Sequence, residues 1–245
     1  LAIPEPVDIA GVTVSRATVT NYGDILKKKV KIGDRVFIRR SNDVIPEITG
    51  VAETAEDARE VEKPVRCPAC GSPVREEGAF IYCTGEHCAP QTVAALDHFA
   101  GKDAMDIDGF SEKTAEQFYN DLGVRTPADL MSVTASEMAV LDRFGDKKAD
   151  NLAKAIEKAK HTTPERLLFA LGIDGIGKKT AKDLMKRFRT LDGLAAASRD
   201  ELLSVDGIGE VLADNILAYF ADEEARRELD RLYAAGVTAQ AAEQK

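Results

Sequence analysis

No stretch of this 245-residue chain approaches the roughly 20 consecutive apolar residues that a bilayer span requires. The opening LAIPEPVDIAG has no basic segment running into an apolar one, the pattern of a signal peptide. Cysteine is scarce, at four residues, and histidine scarcer, at three; a disulfide-dense scaffold needs far more of the former. With 44% hydrophobic and 31% charged residues, and only 18 Gly and 9 Pro, the composition is neither disordered nor collagen-like. What these absences leave is a soluble, intracellular chain that can bury sizeable cores as one large domain or two to three small ones. It starts at Leu1, inside what reads as a folded segment, so a piece of a longer protein is expected.

The net charge of −9 argues against polyanionic partners, but the charge is uneven. Gly11 to Gly50 carries eight Lys/Arg against four Asp/Glu, and Val140 to Thr190 thirteen against seven, whereas Leu191 to Lys245 holds five against twelve. Screening over about 8 to 10 Å makes local charge decisive. Two basic segments are therefore compatible with phosphate contact, although ordinary solvated helix faces give the same pattern.

The first block, Val7 to about Ala52, reads as short strands. Val12, Val14, Ala17 and Val19 mix with polar residues, and Val36 to Arg40 follows a turn at Gly33-Asp34. Ser41-Asn42-Asp43 reads as a turn into a strand from Val44 to Val51, and the whole suggests a small barrel or sandwich. Glu53 to Lys63, acidic and poor in apolar residues, reads as a linker and possible hinge.

All four cysteines fall in the second block: Cys67, Cys70, Cys83 and Cys88. Two thiolates three residues apart on a knuckle favoured by Pro68 and Gly71 can face one metal ion, and a second pair completes a tetrahedron. Two disulfides do not suit a chain without a secretion signal, and a redox C-x-x-C has no need of the second pair. The expectation is one structural Zn²⁺, closed to catalysis because no coordination position is left open. His87 could replace a ligand but reads as a loop residue, and His98 and His161 read as surface or packing residues.

The third block, Val93 to about Gly236, is helical by its apolar period, as at Leu152, Ile156 and Ala159. It contains a fourfold repeat of the frame h-D-G-h-G-x-x-x-A, starting at Ile107, Leu141, Ile173 and Val205, at steps of 34, 32 and 32 residues. The frame reads as helix, tight hairpin, helix. The glycines shape the turn, the apolar residue between them plugs the core, and the alanine allows close helix packing. The turn amides then sit at the second helix's N-terminus, where they favour an anion such as a DNA phosphate. Lys113, Lys147, Lys148, Lys178 and Lys179 follow the turns. Copies three and four are complete, whereas copy one has Ser111 for the second Gly and copy two Arg143 for the first, which suits those two to packing.

In this order, RRSNDVIP, CPACGSPV and YCTGEHCAPQ, HFAGKDAMDIDGF, LLFALGIDGIGKKTA and VDGIGEVLADNI closely resemble the C-terminal half of bacterial NAD-dependent DNA ligase, from about Pro4 to Val237. The resemblance implies a multidomain α+β chain. Residues 1–63 would be a partial OB-fold β-barrel with its linker, 64–92 a small four-cysteine zinc finger, and 93–245 an all-α helix-hairpin-helix domain with four hairpins. The nucleotide-binding, adenylation and BRCT domains would lie outside it. In that family a K-x-D-G lysine takes AMP from NAD, passes it to the 5′-phosphate of a nick, and the 3′-hydroxyl displaces it with Mg²⁺ assistance. No K-x-D-G occurs here: Asp106, Gly172, Thr190 and Ser204 stand two residues before the Asp of each Asp-Gly pair. This chain by itself is therefore expected to be inactive and to bind neither NAD nor Mg²⁺.

What the resemblance leaves it is a DNA clamp for nicked duplex, working with an adenylation domain in the bacterial cytoplasm, at the nucleoid. Arg16, Arg39 and Arg40 would meet the backbone near the nick, and Val44 and Ile45 would press into the minor groove, unless they are ordinary barrel residues. Gly109, Lys113, Gly145, Lys147, Lys148, Gly175, Gly177, Lys178, Lys179, Gly207 and Gly209 would grip the duplex without reading its sequence. Ser41-Asn42 and Thr20 depart from the family's usual residues. The rival readings are a stand-alone hairpin module of a repair protein and a glycosylase or nuclease. The acids that an enzyme of the latter kind needs sit mostly at hairpin starts and helix surfaces, where N-capping accounts for them.

Overall fold

A computed structural model describes residues 1–9, 11–39 and 45–240. The chain divides into two compact units, Leu1–Cys88 and Ala89–Lys245. Arg40 and Val44, and with them the Ser41-Asn42-Asp43 turn, lie outside the described residues. Among the described residues no helix is long and apolar enough to cross a membrane.

The first unit is built from hairpins. Strands β1 (Val7–Ile9) and β2 (Val12–Val14) pair antiparallel, as do β3 (Arg35–Arg39) and β4 (Glu47–Glu53). Bridges at Ala2–Ala17 and Thr18–Glu47 stitch the pairs together over buried Val14, Ala17 and Ile48, and the sheet does not close into a barrel among the described residues. Between the pairs stands a helix that the strand reading did not foresee, α1 (Tyr22–Lys28). Its signals are local: Asn21 Oδ1 accepts the Asp24 amide at 2.8 Å, Lys27 and Lys28 fill the last turn, and Lys29 ends the helix in left-handed backbone. Nor is Glu53 to Lys63 a free linker. Ile32 and Arg59 exchange both backbone hydrogen bonds at 2.8 and 3.0 Å, and Tyr22 Oη donates to the Val61 carbonyl at 3.2 Å. The strand pair β5 (Val74–Glu77) and β6 (Phe80–Cys83) carries the cysteine block within this same unit.

The second unit is helical, and its helices fall in the order the repeat dictates. Copy one joins α2 (Ala89–Ala100) to α3 (Glu112–Asp121); α4 (Pro127–Ser132) connects it to copy two, α5 (Ala135–Ala139) and α6 (Gly145–Ala159). A two-residue strand, β7 (His161–Thr162), precedes copy three, α7 (Pro164–Ala170) and α8 (Lys178–Phe188). Connector α9 (Leu191–Ala195) leads to copy four, α10 (Arg199–Leu203) and α11 (Glu210–Ala221). Last come α12 (Glu223–Ala234) and β8 (Thr238–Ala239), which pairs parallel with β7.

The frame residues do what their chemistry allows. The four alanines, Ala115, Ala149, Ala181 and Ala213, are each at most 1% exposed, so the paired helices meet where no larger side chain would fit. Phe110, Phe144, Ile176 and Ile208 turn inward, and Phe118 of α3 packs against both Phe110 and Phe144, tying hairpin one to hairpin two. Two frame positions after the alanine, Gln117 Nε2 donates to the Asp142 carbonyl of hairpin two at 3.0 Å, and Asn215 Nδ2 to the Asp174 carbonyl of hairpin three at 3.2 Å. The second helix of one copy thus ties down the turn of its neighbour in each tandem.

The left-handed position of the turn is occupied by Gly109, Gly175 and Gly207 at φ of +80°, +83° and +82°. Copy two puts Arg143 there at φ +61°, with its side chain almost wholly in solvent. A non-glycine residue in this region carries a strain of about 1 kcal/mol or more, which an exposed ion pair to Asp142 at 3.4 Å does little to offset. Arg143→Gly is expected to raise the stability of the helical unit by up to about 1 kcal/mol, read as a higher midpoint in urea denaturation. At the other end of the unit, Arg231 of α12 meets Asp129 of α4 at 2.6 Å, and Glu228 accepts the Ala128 amide at 2.6 Å. Burial pushes the Asp129 carboxyl up, but the amides of Arg125 and Thr126 and the Arg231 guanidinium outweigh it and hold the group below its usual 3.8. A depressed carboxylate contributes stability above its unfolded pKa and loses it as pH falls through the folded value. Asp129→Asn is therefore expected to flatten the loss of stability below about pH 4, measured by denaturation across an acid series.

Candidate thiolate cage and hairpin surface

Cys67 and Cys70 occupy a tight knuckle: the Gly71 amide donates to the Cys67 carbonyl at 2.9 Å, the Cys67 amide to the Ser72 carbonyl at 2.8 Å, and Gly71 turns the chain at φ +74°. Cys83 ends β6, and Cys88 follows a turn in which its amide reaches the Gly85 carbonyl at 3.4 Å. The four Sγ atoms lie within 4.8 Å of one another, with Cys67 to Cys88 at 3.7 Å and Cys70 to Cys83 at 3.4 Å. A tetrahedral ion with metal–sulfur bonds of about 2.3 Å needs sulfurs about 3.8 Å apart, so this cage fits Zn²⁺ with little adjustment.

Its electrostatics point the same way. Hydrogen bonds from the Ser72 hydroxyl and amide pull the Cys70 thiol down to about 6, and the amides of Cys70 and Ala69 lower Cys67. At Cys83 the Gly85 amide pulls down, but burial and the neighbouring Cys70 and Cys67 sulfurs push harder and raise it. Sulfurs this close resist becoming thiolates together unless a cation neutralises them. Gly85, which the spacing of the cysteines did not single out, closes the cage from one side. A Cβ there would stand 2.8 Å from Ser72 Oγ and 2.9 Å from Cys70 Sγ. His87 is exposed beside the cage, and the four sulfurs form the set without it.

On the helical unit, Gly109, Lys113, Gly145, Lys147, Lys148, Gly175, Gly177, Lys178, Lys179, Gly207 and Gly209 are all exposed at or just after the turns. The four turns are nonetheless unequal. In copy one Ser111 caps α3, its Oγ accepting the Thr114 amide at 3.4 Å. In copy two Gly145 itself takes a positive φ of +61°, and Asp146 occupies the first turn of α6. In copies three and four Gly177 and Gly209 are N-caps in extended backbone with no side-chain acceptor for the first-turn amides. Neither has an atom within 4 Å of where a Cβ would stand, so the fold itself does not require glycine at either place. Copy three has no acid in the first turn of α8; copy four has Glu210, which Arg199 faces at 4.0 Å. Lys178 pairs with Asp103 at 2.5 Å, Lys179 with Asp183 at 2.8 Å, and Lys148 lies 3.8 Å above the Phe144 ring.

The remaining expected residues sit in the first unit. Arg16 is exposed after β2, Arg39 pairs with Glu47 across the β3–β4 ladder at 2.5 Å, and Ile45 is 70% exposed just before β4. His98 is a packing residue, with its Nε2 2.8 Å from the Phe169 carbonyl and its ring edge-on to Phe169. His161 lies on the surface beside Thr238.

Paired hairpins of this geometry define a helix-hairpin-helix protein. Residues 101–158 match the family described as SAM-like Helix-hairpin-helix tandem, and residues 166–229 the Helix-hairpin-helix motif. Residues 1–60 match the NAD-dependent DNA ligase OB-fold domain. The sequence is 49% identical over 238 residues to the DNA ligase of Alkaliphilus oremlandii, 48% over 239 residues to DNA ligase 2 of Clostridium acetobutylicum, and 45% over 239 residues to the DNA ligase of Clostridium tetani. These alignments take in 96 to 97% of the chain and 36% of each relative. The chain thus carries the NAD-dependent DNA ligase OB-fold domain at residues 1–60, is similar to DNA ligases over nearly its whole length, and spans about a third of the length of the relatives it matches.

The cage generates one expectation. Metal analysis should give one zinc ion per chain, and a strong chelator should lower the melting temperature of the first unit. Cys70→Ser should abolish stoichiometric zinc while leaving the helical unit's melting unchanged; full zinc content in that variant would contradict the four-thiolate site.

Proposed function

We propose that this chain is the duplex-gripping portion of an NAD-dependent DNA ligase, a bacterial cytoplasmic enzyme that seals nicks through enzyme-AMP and DNA-adenylate intermediates. The division of parts follows residues 1–63 for a partial OB-fold with its linker, 64–92 for the zinc finger and 93–245 for the helix-hairpin-helix domain. Adenylation, with its NAD and Mg²⁺, belongs to the rest of the enzyme, because this sequence has no K-x-D-G lysine. The chain alone is inactive and meets nicked duplex as a clamp.

The observation that carries this reading is the third hairpin. Gly177 has an ordinary φ of −83° and open space where a side chain would go, yet it is glycine, leaves the first-turn amides of α8 uncapped, and is followed by Lys178 and Lys179. A residue that the fold does not need small is small so that something outside can come close, and amides at a helix N-terminus beside two cations suit a phosphate. Gly209 repeats the open, uncapped helix start in copy four, with Glu210 and Val211 in place of the two lysines. Such contacts carry no base information, as an enzyme acting on nicks in any sequence requires. Zinc in the cage would act as a cross-link that fixes the knuckle against the β5–β6 hairpin. In the first unit, exposed Ile45 has the position and chemistry of a minor-groove wedge, with Arg16 and Arg39 as backbone contacts; Arg40 and Val44 complete the proposal from sequence alone.

Binding of the zinc-loaded chain to nicked duplex tests the reading. Gly177→Val and Gly209→Val together place side chains where the fold has room, so stability should fall by no more than about 1 kcal/mol for the poorer N-cap at each site, while affinity falls at least about tenfold, the worth of one lost charge-assisted hydrogen bond. Gly175 serves this test poorly, since its φ of +83° and a Cβ contact of 3.0 Å to Leu212 would disturb the fold itself. Unchanged affinity in the double variant would refute phosphate contact at these turns.

A further inference from the structure

The first tandem does not mirror itself. Gln117 of α3 closes on hairpin two through the Asp142 carbonyl, but Asn151, which holds the same frame position on α6, makes no hydrogen bond to hairpin one among the described residues. A groove of about 890 Å³ opens there instead, between Asp108-Gly109 and α6. Along its α6 wall run Lys147, Asn151, Lys154 and Lys158, at helical steps of four, three and four, which set them in one stripe. Lys154 and Lys158 are exposed and form no ion pair among the described residues, in contrast to Lys178 and Lys179. The acids facing the groove are Asp108 and Asp146, both at its hairpin end. Lys158 also lines the next depression along the surface, where Arg166 faces Asp106 at 3.9 Å.

The geometry points to this groove as a second seat for one strand's phosphodiester backbone, with Lys154 and Lys158 as the phosphate contacts and the Asn151 amide as a donor between them. It rests on the clamp reading above and adds to it a different means of holding. Copies three and four offer backbone amides without an acid in α8's first turn, whereas the first tandem, where Ser111 caps α3 and Asp146 sits in the first turn of α6, offers side-chain cations about two and a half to three and a half helical turns beyond Gly145. From Lys147 to Lys158 the stripe covers about 16 Å at 1.5 Å per residue, enough to follow several phosphates at about 3.4 Å of axis each.

The two means of holding differ in their salt dependence. A lysine that neutralises a phosphate releases counterions and steepens the decline of log K with log salt by about 0.9, whereas a neutral amide adds affinity with little slope. Binding of the whole chain to nicked duplex between 50 and 200 mM salt should therefore lose a slope of about 2 in Lys154→Gln/Lys158→Gln. The Gly177→Val/Gly209→Val variant should lose affinity with its slope kept, and Lys154→Arg/Lys158→Arg should restore the slope. Asn151→Ala should weaken binding at every salt concentration alike. A wild-type slope in Lys154→Gln/Lys158→Gln, with the glycine variant weakened, would overturn the groove and leave the clamp standing. Absence of salt-dependent binding by the unaltered chain would overturn the clamp, and the groove with it.

Discussion

Every α-helix begins with backbone amides that have no acceptor inside the helix, and the ways in which this chain answers them organise much of its surface. Ser111, Thr126, Thr134, Ser198 and Asp222 answer with their own side chains. Gly177 and Gly209 do not answer at all. A helix start left bare in water costs little stability and keeps its partial positive charge for an external anion. The repeat is thus a packing device in all four copies, and the recognition proposed for it falls chiefly on two, because copy one departs from the frame at Ser111 and copy two at Arg143.

That difference could be read in the sequence because it is a substitution within a repeated pattern. The buried alanines and the inward plugs could be read for the same reason: steps of 32 to 34 residues give four views of one structural unit. The chain's departures from the pattern were harder to interpret. Arg143 stood where a glycine should be, but only its φ of +61° shows that the turn keeps its shape and bears the strain. Asn151 carried no visible signal, because its meaning lies in a bond that Gln117 makes and Asn151 does not. Lys154 and Lys158 were legible in principle, at seven and eleven residues beyond Lys147, once α6 was known to run to Ala159.

The first unit was less legible because its order comes from pairings distant in sequence. Short strands have weak individual patterns, and α1 is held by caps at Asn21 and Lys29 more than by an apolar face; none of its residues is buried. The Glu53 to Lys63 segment looked like a linker because it is acidic and apolar-poor, yet what holds it is backbone exchange with Ile32, which any residue but proline can make. The cysteines were the opposite case. Thiolates can converge only at certain spacings, so C-x-x-C and its second pair specified the cage, while the need for glycine at Gly85 was visible only once Cys70 Sγ and Ser72 Oγ stood beside it.

The chain's acidity is consistent with gripping a polyanion once the distribution of charge is followed to individual side chains. Several acids of the Leu191 to Lys245 segment are engaged within the protein: Asp214 and Glu210 with Arg199, Glu228 with Arg231, Glu223 with Arg227 and Asp222 as a cap. Ion pairs of this kind contribute little to stability, but they cancel charge locally. The α6 lysines have no such partners among the described residues, so their field reaches solvent over about a Debye length, the range at which an approaching phosphate strand is first attracted. A negative total with an uncancelled positive groove also weakens attachment elsewhere on the surface. Duplex DNA would then be held by two separate means, the open amides of copies three and four and the unpaired lysines of α6.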